Sequence, residues 1–219
     1  MNEILQVLKD PQTQAMLRTQ VVQHLVLSLT SVLLATLVAV PAGIWLTRHE
    51  RLASPVLTVV SLVQTLPSIA LLAFMIPFMG IGSAPAITAL FLYALLPILR
   101  NTYTGIQGVD PAARESARGM GMTDRQMLFM VELPLAFRVI MSGIRVSTVM
   151  IIGWATLAAF VGAGGLGDMV LMGFSMVSTG HIIAGGVPVT LMALLADYGL
   201  GRLERAATPA GLRVSEGGH

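Results

Sequence analysis

Five apolar stretches separated by short polar or glycine-rich breaks dominate the chain: residues 21–46, 56–78, 81–99, 146–166 and 181–200. Each approaches the roughly 20 residues that a helix needs to cross a bilayer. The second and third lie within one uncharged block running from Leu52 to Leu99. Its middle, Met79-Gly80-Ile81-Gly82-Ser83-Ala84-Pro85, carries the glycine and proline punctuation of a tight turn. A helical hairpin is predicted there. The third and fourth stretches reach spanning length only when glycine-rich flanks are counted, so their ends are the least defined. The pattern predicts an all-α, polytopic membrane protein with five transmembrane helices in one domain, residues 21–205. A segment at 1–20 precedes it and a tail at 206–219 follows it.

The polar positions set the orientation. Ten of the 24 formal charges fall between Arg100 and Arg145. With five spans, one side receives only Lys9 and Arg18, and the other receives the eleven remaining basic residues. The positive-inside rule then puts the N-terminus outside and the C-terminus, with the 100–145 loop, in the cytoplasm. Ile4, Leu5 and Leu8 would share one face of a short interfacial helix within residues 2–18. Residues 211–219 read as a frayed cytoplasmic tail.

Composition agrees: 55% of residues are hydrophobic and 11% charged, against about a quarter charged in soluble domains. There is no cysteine, which removes disulfides and thiolate chemistry. Lys9 is the only lysine, so a phosphate loop ending in Gly-Lys-Ser/Thr is excluded. ATP hydrolysis, if used, is expected on another subunit. The arginines adjoin spans rather than forming a stripe with interleaved aromatics, which argues against nucleic acid. His24, His49, His181 and His219 lack metal-ligand spacing, and no nucleophile-base constellation suggests catalysis.

The 100–145 loop has a predictable local shape. Asp110-Pro111 is a helix start, with an N-cap carboxylate followed by a proline whose missing N–H needs no partner. The helix should run to about Arg118 and yield to Gly119 and Gly121. Thr123 and Gln126 then form a capping box for a second helix. Pro134 should kink or end that helix just before the fourth span. Ala112, Ala113 and Ala117 keep the first helix slim, Met120 and Met122 offer adaptable side chains, and Glu115 is spaced to pair with Arg118. Such a knob can be pushed by another protein, or can be a solvated loop whose charges only set topology.

Glu115-Ser116-Ala117, Gly121 and Val131-Glu132-Leu133-Pro134 resemble the EAA motif of binding-protein-dependent ABC importer permeases, with Ser116 for alanine and Val131 for isoleucine. Gln64-Thr65-Leu66-Pro67-Ser68, Leu95-Leu96-Pro97-Ile98-Leu99-Arg100-Asn101-Thr102-Tyr103, Gly119-Met120-Gly121-Met122-Thr123 and Gly162-Ala163-Gly164-Gly165-Leu166-Gly167-Asp168 resemble the osmoprotectant branch, which imports glycine betaine, carnitine and choline. The resemblance implies a type I importer permease fold in the inner membrane and no cofactor bound by this chain. ATP and Mg would sit on a partner ATPase. It also implies an extracytoplasmic binding protein, expected as a separate chain, and a second permease copy or paralogue. Glu115, Ser116, Ala117, Met120, Gly121, Met122, Leu133 and Pro134 would form the ATPase-coupling site.

Polar residues and prolines within spans mark a path or gate, because unsatisfied polarity in lipid is costly. Gln64, Thr65, Pro67 and Ser68 form the densest cluster in the second span, and Gly164 and Gly165 suit a close-packed re-entrant segment. Interhelical packing accounts equally well for the hydroxyls. Trp45 and Trp154 are read as anchors or packing, Asp197 as a boundary residue or a partner of Arg202, and Arg145 as a snorkelling residue. The alternatives are a permease for methionine or another amino acid, a secondary transporter or channel without an ATPase, and an assembly subunit. Secondary transport would call for midplane ionisable groups, and the central span positions hold no Asp, Glu, Lys or Arg.

Overall fold

The computed structural model describes residue 7 and residues 9–207, and these are almost entirely helical. Helix α1 spans Pro11–Thr47. Asp10 caps it, its carboxylate accepting from the Thr13 N–H at 2.9 Å and the Thr13 hydroxyl at 2.8 Å. Residues 11–20 are therefore continuous with the helix of the first apolar stretch. Ile4, Leu5 and the Leu8 side chain lie outside the described residues, as does the expected tail at 211–219. At 1.5 Å per residue α1 is ~55 Å long and outruns the hydrocarbon layer.

The second span is broken. Helices α2 (Glu50–Thr65) and α3 (Ser68–Met79) meet at a bend of 99°. Leu66 is extended, as the residue before a proline tends to be. Tyr93 spans the break from the next helix, α4 (Ser83–Gln107): its hydroxyl donates to the Leu66 carbonyl at 2.8 Å, and Gln64 Nε2 donates to the Tyr93 carbonyl at 3.0 Å. The Tyr93 hydroxyl thus satisfies a carbonyl at the Pro67 break, and Gln64 satisfies the Tyr93 carbonyl that Pro97, four residues on, leaves without its helical donor, as apolar surroundings demand. A turn at 80–82 links α3 to α4, and Gly80 and Gly82 hold positive φ.

Small residues let α4 pack between α1 and α7 (Leu133–Trp154). A Cβ on Gly43 of α1 would stand 2.7 Å from Thr102, and one on Gly143 of α7 would stand 2.6 Å from Asn101. Such close backbone approach is how spanning helices associate without a hydrophobic driving force. Ser31 and Ser147 add hydrogen bonds to the carbonyls of Ile87 and Ala94 at 3.2 and 3.1 Å. The buried core runs along this seam through Ala35, Ala39, Ala86, Ala94 and Ile98.

Between α4 and α7 lie α5 (Pro111–Gly119), α6 (Asp124–Met127) and a wide π turn at Leu128–Glu132. Pro134 was expected to kink or end the helix ahead of the fourth span. Instead, the turn before it widens and the helix continues: the Leu133 N–H bonds the Leu128 carbonyl. Insertion of one residue into the turn relieves the demand for the missing proline N–H. The helix that carries the fourth apolar stretch therefore starts well before residue 146. It runs on into a 3-10 segment at Ala155–Val161. Helix α8 (Leu166–Ser175) is short and apolar, and α9 (Thr179–Ala207) closes the fold. Among the described residues, four helical stretches are long and apolar enough to cross a membrane, or five with the bent pair as one span.

Arg145 and Asp197 correct two expectations. Arg145 does not simply snorkel, and Asp197 is not joined to Arg202: Arg145 Nε and Nη2 donate to the Asp197 carboxylate at 2.5 and 2.6 Å. Glu204 lies 3.8 Å from Arg145 and 3.7 Å from Arg138. Arg202 instead donates to the Tyr198 hydroxyl and lies 5.0 Å from that ring's centre.

Candidate functional site: a charged loop anchored by a buried carboxylate

The loop's local predictions follow from its caps. Asp110 accepts from the Ala112 N–H at 2.9 Å and starts α5 with Pro111 in the first turn. Gly121 ends the helix at φ +76, with nothing near its absent Cβ. The capping box is present: Thr123 N–H donates to Gln126 Oε1 at 2.8 Å, and Gln126 N–H donates to the Thr123 hydroxyl at 3.3 Å.

Glu115, Ser116, Met120 and Gly121 are exposed on this helix and turn, and Met122 is half-buried. Ala117 points inward at 1% exposure. Of the three alanines expected to leave room for a partner, it is the one used for packing against the chain itself. Leu133 and Pro134 are half-buried at the start of α7. No ion pair joins Glu115 to Arg118 among the described residues.

The residue that organises the loop is Glu132, which sequence reasoning left as an unassigned position in the motif. It is fully buried. Arg48, just past the end of α1, reaches it with both terminal nitrogens. Arg114 of α5 brings Nε within 3.2 Å of Oε1 and donates through Nη2 to the Ile106 carbonyl at the end of α4. One carboxylate thus joins α1, α5 and the entry to α7, and its arginine ties α5 to α4. A detectable signal was present: Glu132 is the single charge in the apolar run from Met127 to Phe137, and such a charge in an apolar setting must find partners.

The residues marked as path or gate have separate surroundings. Gln64 is engaged by Tyr93, the Thr65 hydroxyl donates to Leu62 at 2.7 Å, Pro67 caps α3, and Ser68 begins it. Gly164 and Gly165, both at positive φ, instead rest on α1. The Gly165 N–H donates to Gln23 Oε1 at 3.0 Å, and a Cβ at Gly164 would lie 2.5 Å from that oxygen. His24, read from sequence as a topological or hydrogen-bonding residue rather than a metal ligand, donates from Nε2 to the Ile152 carbonyl at 2.8 Å and packs under Gly165. Trp154 meets Tyr93 edge-on at 4.4 Å, and Trp45 stacks on His49 at 4.3 Å. Among the described residues there is no cluster of histidine and carboxylate groups able to hold a metal ion.

Known proteins are similar to this chain. Residues 39–208 match the family described as binding-protein-dependent transport system inner membrane component. A choline transport system permease protein of Bacillus subtilis is 50% identical over 213 residues, covering 97% of each chain. A carnitine transport permease protein of Listeria monocytogenes is 53% identical over 203 residues, covering 92% of this chain and 93% of its own. Among solved structures, the inward-facing MetNI methionine ABC transporter superimposes with a TM-score of 0.81 at 24% identity, over 91% of this chain and all of the matched one. The last likeness concerns the fold alone. Together with the charged loop between its spans, these matches establish that the chain is a membrane-embedded transport subunit and belongs to the binding-protein-dependent transport system inner membrane component family.

Proposed function

We propose that the chain is the translocation subunit of an ATP-driven importer of quaternary-amine osmoprotectants: choline, carnitine and glycine betaine. A separate ATP-binding subunit would carry ATP and Mg, an extracytoplasmic protein would deliver substrate, and a second permease chain would complete the path. The N-terminus lies outside and the 100–145 loop in the cytoplasm. Half-identity with permeases named for choline and carnitine, over nearly the whole chain, carries the substrate assignment.

The ATPase docks on the exposed face of α5 and its turn, through Glu115, Ser116, Met120, Gly121 and Met122. Ala117, Leu133 and Pro134 support that face from within. Movement of α5 passes through Arg114 and Glu132 to α1 and α7, so the docking helix cannot move without its spans. The break at Pro67 and the glycine turn at 162–165 are the segments that gate the path. Their backbone is already released from regular helix and held by side chains of neighbouring spans.

Uptake of labelled choline, carnitine and glycine betaine by the reconstituted complex, each competed by methionine, tests the substrate. Inhibition by the quaternary amines alone is expected, and preferred uptake of methionine overturns the reading. Glu115→Lys with Gly121→Val should abolish ATP-dependent uptake while the permease still reaches the membrane. Unimpaired uptake by that variant removes the coupling role.

A further inference from the structure

Glu50, Ser54, Thr58, Ser61 and Thr65 recur along α2 at helical spacing and share one face. Ser54, Thr58 and Thr65 are exposed and Ser61 is half-buried. The hydroxyl protons of Thr58 and Ser61 are spent on the carbonyls of Ser54 and Leu57, at 2.8 and 2.7 Å. The lone pairs of Thr58 are left available to water or a passing solute, while the Ser61 oxygen faces Arg100 Nη2 at 3.4 Å. A stripe of this kind on a span otherwise built for lipid calls for a wet surface.

The first three turns of that stripe meet α4 in a cleft of about 390 Å³, lined by Glu50, Ser54, Thr58 and Ser61 on one side and Arg100 and Tyr103 on the other. Its size falls within the range of small-molecule sites. The charges are segregated. At one end Arg100 is exposed, its Nη2 3.4 Å from the Ser61 hydroxyl. At the other, Glu50 accepts from Gln107 Nε2 at 3.2 Å. Tyr103 stands between positions 100 and 107 on α4, about one helical turn from each. Cation, aromatic ring and anion therefore follow one another along the cleft over ~10 Å of helix.

We infer that this cleft is a cytoplasmic-end station of the translocation path for a zwitterionic quaternary amine. Arg100 receives the carboxylate, which a guanidinium fork suits geometrically. Tyr103 and Glu50 receive the trimethylammonium group, through the ring face and the opposite charge. Exposure and loose hydrogen bonding keep the site weak, as a release station requires. Choline has no carboxylate and would use only the Tyr103 and Glu50 end. The inference rests on the quaternary-amine reading above and adds to it a residue that separates cargo classes.

The test is uptake of labelled carnitine, glycine betaine and choline by vesicles holding the complete complex, with ATP hydrolysis read in parallel. Arg100→Gln should lower carnitine and glycine betaine uptake by about 10- to 100-fold, the worth of a hydrogen bond to a charged group, and choline uptake by under about threefold. Glu50→Gln should lower all three. Equal losses for the three cargoes with Arg100→Gln, or no loss, overturn the station. If that variant does not assemble, Arg100→Met replaces it, and a carnitine-to-choline ratio equal to that of the unaltered chain overturns it as well. Transport of choline alone by the unaltered chain also refutes the station but spares the quaternary-amine reading. Transport of none of the three removes that reading itself.

Discussion

Two clusters of opposite charge tie this chain together, and they differ in what water can reach. In the first, the Glu132 carboxylate is fully enclosed and its arginines, Arg48 and Arg114, are 39% and 22% exposed. In the second, Arg145 and Asp197 make two short hydrogen bonds, yet both side chains remain over a third exposed. The second joins two adjacent spans, α7 and α9. The first joins parts of the chain separated by 66 and 18 residues, at positions 48, 114 and 132. An enclosed charge must keep its partners whatever the cost of their geometry, whereas a wet pair can trade partners for water. The enclosed cluster is therefore suited to hold α5 rigidly to the spans, and the wet one to let two helices slide.

The largest effect that separates them is expected from Glu132→Gln. Removing one partner of a buried pair typically costs about 3–5 kcal/mol, because the remaining charge is left uncompensated. Partial exposure of both arginines places this site toward the lower figure. Thermal unfolding of the purified chain in detergent should show a clear fall in midpoint. In the complex, ATP hydrolysis should persist better than uptake, because the α5 face stays intact while its link to α1 is cut. A variant as stable and as coupled as the unaltered chain would deny Glu132 its anchoring role.

A double-mutant cycle sharpens the same contrast. Glu132→Gln and Arg114→Gln should couple by about 0.5–3 kcal/mol, as residues of one network do. Glu132→Gln combined with Asp197→Asn should be additive to about 0.5 kcal/mol, since the two sites share no partner. Taken alone, Asp197→Asn should cost about 1 kcal/mol or less, the range for pairs open to solvent. A loss as large as that from Glu132→Gln would mean that exposure does not distinguish the two clusters.

What could be read from sequence divides along the same line. The caps at Asp110 and Thr123 were legible because donor and acceptor lie within three residues of each other, and so was the existence of five hydrophobic segments. Pro67 was legible as a weak point in the second span. The 99° bend was not, because the group that donates to the broken backbone's carbonyl is the hydroxyl of Tyr93, 27 residues from Leu66. Arg145 and Asp197 were each visible as charges near a span, but their pairing depends on how α7 packs against α9. Glu132 sat in plain view within the motif that identified the family. Its importance appears only when α1, α5 and α7 converge, and no spacing rule predicts which distant arginines will meet an isolated carboxylate. The residues exposed on α5 and its turn were thus easier to place than the one that holds α5 to the spans.

The smallest expected effect tests whether α5 is held mainly from within or from outside. Asp110→Ala removes the N-cap of a short, mostly exposed helix, which should cost about 0.5 kcal/mol, the low end for such caps. Hydrogen exchange of α5 amides reads this locally. If the Arg114–Glu132 tie dominates, exchange across Pro111–Gly119 should quicken only in the first turn, while α7 stays unchanged. Combining Asp110→Ala with Arg114→Gln should then free the whole of α5. Should Asp110→Ala alone release the full helix, the cap would be its main support, and the enclosed carboxylate would anchor α1 to α7 without governing α5.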